Sequence, residues 1–313
     1  MTSFPTPQMI ETNGVTLEVF TAGKKGKPIV LCHGWPEHAY SWRYQIPVLV
    51  EAGYHVIVPN QRGYGASSRP DAVEDYDMTH MTGDLAGLLD HFGYDDAVFV
   101  GHDWGAIIVW GFAMMHPSRI SGLINMSVPF MERGATDWVS FWEQMLGPDM
   151  YIVHFNRQPG IAAKVFEDNT ERFLSAMYRT DQWLEAPHDP GEGMAMINMA
   201  EGRMEPAGKL LMSAEDLGVF VDAFGKSGFV APINWYRNFT RNWGILGDYE
   251  QQIKVPTLMI YGDHDMVPKS DTLGNHVAEL EVETLDCGHW IQQERPDETN
   301  ALMLGWLKRH DAR

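Results

Sequence analysis

The sequence predicts an α/β protein: a mostly parallel sheet with helices on both faces, carrying an inserted helical cap domain. Three observations carry this. Residues 1–130 alternate short apolar runs rich in β-formers with longer amphipathic stretches, and the same alternation returns from residue 248 to the end. Between them, residues 131–247 are rich in Trp, Met and Phe at helical spacing and hold no βαβ unit. Residues 1–130 and 248–313 are therefore assigned to the core, and 131–247 to the cap.

In order, residues 15–20 alternate as an antiparallel edge strand, and the turn Gly23-Lys24-Lys25-Gly26 leads into a short, continuously apolar strand, Pro28–Cys32. His33-Gly34-Trp35-Pro36 follows it as a turn. Residues 41–52 read as a helix and 55–59 as the next strand. The loop Asn60-Gln61-Arg62-Gly63-Tyr64-Gly65-Ala66-Ser67 is glycine-rich but lacks both Gly-Lys-Ser/Thr and G-x-G-x-x-G, which removes the case for a nucleotide site. Residues 76–92 place Leu85, Leu88 and Leu89 on one side of an amphipathic helix.

Residues 97–102 form a buried strand that runs into Gly101-His102-Asp103-Trp104-Gly105 and then an apolar helix to residue 115. Small residues on either side let a strand turn sharply into a helix and expose the residue between them at the sheet's carboxyl edge. That residue is Asp103. Residues 120–128 are the next strand. Within the insertion, residues 213–224 open with Ser-Ala-Glu-Asp, a near capping box, and residues 232–243 open with Pro at a first-turn position. The sheet resumes at 255–261, whose exit loop is Gly262-Asp263-His264-Asp265. The last strand, 282–285, precedes Cys287-Gly288-His289-Trp290.

Composition bounds the function. The chain of 313 residues has 44% hydrophobic and 21% charged residues, an ordinary globular balance. Its net charge of −19, with no cationic cluster to offset it, argues against nucleic acid or an anionic membrane as partner. Cys32 and Cys287 make no disulfide framework and are expected as buried thiols. The first residues lack a secretory pattern and no apolar run approaches a membrane span, so a cytoplasmic location is the expectation. Asp263, His264 and Asp265 are adjacent and cannot all face one ion, so neither a metal nor a cofactor is expected.

Three loops at one edge thus present Asp103, Asp265 and His289 in the order nucleophile, acid, histidine. With His33-Gly34-Trp35-Pro36, Tyr151, Phe155, Pro159-Gly160 and Trp235-Tyr236-Arg237-Asn238, the whole chain resembles an α/β-hydrolase epoxide hydrolase of the soluble or microsomal-like kind. An Asp nucleophile suits that chemistry. Serine attacking a saturated carbon ends as an ether that water does not readily cleave, whereas a carboxylate ends as an ester. Asp103 would open the epoxide without a base, and His289, steadied by Asp265, would activate the water that hydrolyses the ester to a diol.

Resemblance further implies the backbone N–H groups of Trp35 and Trp104 as the oxyanion hole, a cis bond before Pro36, and the cap tyrosines Tyr151 and Tyr236 as proton donors. The partners implied are a small hydrophobic epoxide and water. His33 and His102 are expected as structural hydrogen-bonding groups, Tyr178 as core, and Met194, Met196, Met199 and Met204 as gap-filling residues. Asn60 departs from the Asp usual at that place. Two alternatives stay open: a haloalkane or haloacid dehalogenase of the same fold, and a non-catalytic ligand-binding relative. Against the first, Trp35 stands where haloalkane dehalogenases commonly carry Asn, and Trp104 where a haloacetate dehalogenase would carry Arg.

Overall fold

A computed structural model of the chain describes residues 4–24, 26–180 and 195–310, so Lys25 of the first turn and Met194 of the cap methionines lie outside the described residues. Six strands precede the insertion: β1 (Pro7–Thr12), β2 (Val15–Ala22), β3 (Pro28–Cys32), β4 (His55–Asn60), β5 (Ala97–His102) and β6 (Ile120–Met126). A two-residue pair, β7 (Arg179–Thr180) and β8 (Lys209–Leu210), lies inside it, and β9 (Thr257–Gly262) and β10 (Leu280–Leu285) follow. The main sheet runs β1-β2-β4-β3-β5-β6-β9-β10. Within this sheet the β1–β2 and β2–β4 pairings are antiparallel and the others parallel. This order puts β5 in mid-sheet between β3 and β6, with its carboxyl end over the centre of the edge.

The expected edge strand is the second strand instead. Residues 7–12 form the outer strand, joined to β2 by Asn13-Gly14 with both residues at positive φ. An Asn-Gly pair is a strong hairpin signal, and reading residues 15–20 alone overlooks it. The expected helix 41–52 divides into a 3₁₀ turn, Ala39–Trp42, and α1 (Ile46–Glu51). Pro47 is the reason: with no N–H and a fixed φ it suits a first turn and not a helix interior.

Helix α2 (Met78–Phe92) begins after Asp77, whose carboxylate accepts the His80 N–H at 3.1 Å, and ends at Gly93 with φ 73°. α3 (Trp104–Met115) starts directly after Asp103. The insertion is helical: α4 (Trp138–Leu146), α5 (Tyr151–Arg157), α6 (Ile161–Asp168), α7 (Thr170–Met177), α8 (Ala195–Ala200), α9 (Ala214–Ser227), α10 (Val230–Arg237) and α11 (Phe239–Leu246). Ser213 caps α9 through the Asp216 N–H at 3.1 Å. The expected helix 232–243 breaks at Asn238, whose side chain donates to the Val73 carbonyl at 2.6 Å and so ties the junction to the core. α12 (Ile291–Glu294) and α13 (Pro296–His310) close the chain.

Alternation along β5 builds two cores. Phe99 packs with Leu85, Leu88, Leu89 and Phe112 in a cluster that continues into the cap. Val98 and Val100, on the opposite face, join Trp42, Ile124, Leu258 and Trp306. Both cysteines are buried and unbridged. Among the described residues no helix is long and apolar enough to cross a membrane.

Polar contacts seat the insertion over the sheet edge. Trp235 Nε1 donates to the Arg62 carbonyl at 3.1 Å, Tyr178 Oη to the Pro36 carbonyl at 2.8 Å, and Tyr40 Oη to Asp216 at 2.8 Å. Tyr178 is fully buried, as a core residue should be.

Asn60 shows how its departure is accommodated. Its Oδ1 accepts the Ala39 N–H at 2.7 Å, as an aspartate could, while its Nδ2 donates to Glu18 at 2.6 Å. An aspartate would set two carboxylates against each other at a buried position. Asn60→Asp is expected to lower the unfolding free energy by about 1–3 kcal/mol in urea titrations, through a lost hydrogen bond to a charged group. Adding Glu18→Gln should recover most of the loss; no recovery would show that the Glu18 contact is not the reason.

Candidate active site

β5 is buried along its whole length and delivers Asp103 at φ 52° and ψ −119°, a conformation costly for a side-chain-bearing residue. The turn is possible because its neighbours are glycines. A Cβ on Gly105 would lie 2.0 Å from the Cys32 carbonyl oxygen, and one on Gly34 would lie 2.5 Å from Asp103 Cβ. This close approach brings the Trp35 N–H to 2.7 Å from Asp103 Oδ1. The Trp35-Pro36 bond is cis. The Trp104 N–H, at the start of α3, also bears on the carboxylate.

The other carboxylate oxygen faces His289. Asp103 Oδ2 is 3.7 Å from His289 Nε2, and His289 Nδ1 donates to Asp265 Oδ1 at 2.9 Å. Asp265 Oδ1 also accepts the Val267 N–H at 3.0 Å. Asp263 points away, to Lys269 at 2.7 Å in a half-exposed pair. Tyr151, the first residue of α5, and Tyr236 of α10 have ring centroids 5.7 Å apart, edge to face. The Tyr236 ring lies 5.3 Å from that of Trp35 and 5.1 Å from that of Trp104. All seven residues singled out from the sequence thus meet at one edge of the sheet.

Two further residues escaped the sequence reading. Glu37 is wholly buried and accepts from the Gly34 N–H at 2.8 Å and from Gln292 Nε2 at 3.0 Å. Its Oε2 also lies 2.8 Å from His102 Nδ1, and His102 Nε2 donates to the His289 carbonyl at 2.7 Å. Glu37 therefore connects the Trp35 turn, the elbow strand and the His289 loop. A carboxylate directly after Pro36, amid His33, His38 and His102, was the available signal. Ser127, just past β6, has its Oγ 3.1 Å from His289 Nδ1. Nothing in the residue pattern marks it. His33 is structural, accepting the Gln61 N–H at Nε2 from 3.1 Å.

Burial and charge set the proton affinities. Burial raises the Asp103 pKa above the ordinary carboxylate value, although His289, His102 and the two N–H groups oppose it. At His289 burial works the other way and is outweighed by Asp265, Asp103 and Glu37, so its pKa is pushed up to about 9. Asp265 stays below the ordinary value because His289, Ser127 and the Val267 N–H outweigh its burial. Burial is outweighed at Glu37 too, chiefly by His102, leaving its pKa at about 2. Tyr151 and Tyr236 are both raised, first by burial and further by the Asp103 charge, so both hold their protons.

Comparison with known proteins agrees with this architecture. Residues 27–296 match the alpha/beta hydrolase fold family. Epoxide hydrolase A of Mycobacterium tuberculosis is 41% identical, over 97% of both chains. Bifunctional epoxide hydrolase 2 of Sus scrofa is 36% identical over 94% of this chain, which spans 54% of that protein. The crystal structure of Epoxide Hydrolase A from Mycobacterium thermoresistibile superposes with a TM-score of 0.87 at 37% identity, covering 97% of this chain and 98% of that one. Potato epoxide hydrolase I superposes at 0.85 with 28% identity, covering 97% and 99%. A mostly parallel sheet, a strand-to-helix elbow bearing an aspartate, and near-complete alignment with these enzymes make the chain a member of the α/β-hydrolase-fold epoxide hydrolases.

Proposed function

We propose that the protein converts a small hydrophobic epoxide to a vicinal diol through an alkyl ester on Asp103, with residues 131–247 acting as the cap that carries the proton donors. One observation supports this most: the two Asp103 carboxylate oxygens have different surroundings. Oδ1 accepts the Trp35 N–H at 2.7 Å, while Oδ2 lies 3.7 Å from His289 Nε2.

Oδ2 is accordingly the attacking atom. It bonds to an epoxide carbon as the carbon–oxygen bond breaks, and the departing alkoxide takes a proton from Tyr151 or Tyr236. Both phenols are kept protonated by burial and by the Asp103 charge, so each has a proton to give as the alkoxide forms. In the second step water attacks the ester carbonyl carbon and passes a proton to His289 Nε2. Negative charge then gathers on Oδ1, which already accepts the Trp35 N–H, while the Trp104 N–H also bears on the carboxylate. Collapse of that intermediate moves its hydroxyl proton to the departing alkoxide, releasing the diol and restoring the carboxylate, and the proton held on His289 returns to the phenolate left by the first step.

Aromatic rings around Tyr236, among them Phe155 at 5.3 Å and Phe239 at 5.9 Å, make the site apolar and favour a hydrophobic substrate. The direct test is a panel of styrene-type, terpene and fatty epoxides scored for diol, with haloalkanes as controls. Halide release without diol formation would overturn the reading in favour of a dehalogenase.

Removing the base should trap the ester. His289→Gln treated with an aryl epoxide is expected to gain the mass of one substrate on Asp103 and to stop turning over, as read by intact-protein and peptide mass spectrometry. Turnover with no adduct would sink the two-step scheme. Tyr236→Phe is expected to slow ring opening by about one to two orders of magnitude in single-turnover kinetics, with ester hydrolysis changed much less. An equal loss in both steps would remove Tyr236 from the donor role.

The histidine also predicts a pH dependence. Hydrolysis needs neutral His289, so its rate rises with pH. The ester has no charge at Asp103, which removes one of the influences that lift His289 to about 9 in the free protein. The midpoint for hydrolysis of the preformed ester should therefore lie below the His289 titration of the substrate-free protein, measured by NMR. A rate that falls with rising pH would exclude His289 as the base.

A further inference from the structure

Among the described residues, three that are not glycine have positive φ: Asn13, Asp103 and Ser127. Asn13 belongs to an Asn-Gly hairpin turn, where that conformation is usual, and Asp103 is the elbow. Ser127 has neither reason. It follows β6 at φ 69° and is the middle residue of a three-residue turn closed by the Val128 N–H on the Met126 carbonyl at 2.9 Å. Such turns at positive φ are rare and strained, and glycine would relieve the strain. The surroundings hold the turn in place: Ser127 is fully buried, and its N–H donates to the Ile260 carbonyl of β9 at 3.1 Å.

The turn delivers the Ser127 hydroxyl to the histidine. Oγ is 3.1 Å from His289 Nδ1, which is also 2.9 Å from Asp265 Oδ1. With its N–H directed at Asp265, Nδ1 cannot accept the serine proton. The acceptor at hand is the Asp265 carboxylate, whose Oδ2 is buried with no hydrogen-bond partner among the described residues and whose charge the serine hydroxyl stabilises. Asp103 faces Nε2 and His102 holds the His289 carbonyl, and among the described residues Nδ1 meets Ser127 and Asp265.

We propose that Ser127 is a positioning residue for ester hydrolysis: its hydroxyl, held on a strained turn, fixes His289 and Asp265 in one relative setting, with a proton on Nδ1 and with Nε2 directed at Asp103, where it takes the water proton once the ester has formed. The inference rests on the two-step reading above, because only the second step uses His289. Strain at a buried non-glycine turn persists where its side chain is needed. A serine that merely fills the turn gains nothing from this conformation.

Ser127→Ala and Ser127→Gly separate the hydroxyl from the backbone. Both remove the hydroxyl, and glycine also relaxes the turn. Rapid-quench mass spectrometry with a styrene-type epoxide is expected to show ring opening within about twofold of wild type and ester hydrolysis about tenfold slower in both variants, with the adduct accumulating. In substrate-free, imidazole-¹⁵N-labelled protein, the His289 Nδ1 proton resonance should be lost to faster exchange in both. Ser127→Gly should unfold at or above the temperature of Ser127→Ala despite equally slow hydrolysis. Wild-type hydrolysis in Ser127→Gly, an equal loss in both steps, or an unchanged Nδ1 proton would overturn the assignment. If the wild type itself forms no ester, the two-step reading falls and takes the hydrolysis role with it. Normal ester formation with wild-type hydrolysis in both variants overturns the Ser127 assignment alone.

Discussion

The carboxyl edge of the sheet depends on how closely the turns after β3 and β5 approach each other. Gly105 backs against the Cys32 carbonyl and Gly34 against Asp103 Cβ, at separations that leave no room for a methyl group. Adjacent parallel strands are spaced by their hydrogen bonds, so the turns that leave them can come nearer only where side chains are absent. The Trp35 N–H reaches the Asp103 carboxylate as a consequence. An anion-binding contact is thereby built from packed backbone, which reorganises little when charge develops on the oxygen it faces.

Glu37 makes that arrangement rigid at a thermodynamic cost. A wholly buried carboxylate is unfavourable unless its oxygens are satisfied, and removing one partner of such a group typically costs about 3–5 kcal/mol. Here the partners come from three separate segments: the Gly34 N–H from the Trp35 turn, His102 from the end of β5, and Gln292 from α12 beyond His289. None of these segments can shift without stranding the charge. His102 then extends the tie to the His289 carbonyl, so the loop carrying the histidine is held in register with the elbow.

Much of this was legible from the residues, and the rest was not for physical reasons. Asp103 stood out because two glycines around one polar residue, between an apolar strand and an apolar helix, leave few other folds. Strands β3 and β5, buried on both faces, read as unbroken apolar runs. The outer strand was missed because residues 7–12 are mostly exposed and alternate weakly, leaving Asn13-Gly14 as the stronger clue. Tyr151 and Tyr236 were legible only by resemblance, since an aromatic on a helical cap looks the same whether it packs or donates a proton. Ser127 was illegible. Its importance lies in a positive φ and in a contact to a histidine 162 positions along the chain, and neither leaves a trace in local pattern.

A single charge links the parts of the site. While Asp103 is ionised, it adds to the effect of burial at Tyr151 and Tyr236, keeping both phenols protonated, and it helps hold His289 as the cation. In the proposed reaction, ester formation on Asp103 would remove that charge. In the same event a phenol would give up its proton, so negative charge would pass from a carboxylate to a phenolate that Asp103 no longer opposes. The histidine would lose one stabilising neighbour and become a better base just as a base is first required. On this proposal core and cap are coupled through the state of one carboxylate: the apolar cap favours neutral donors before the bond forms, and the core frees its base after it.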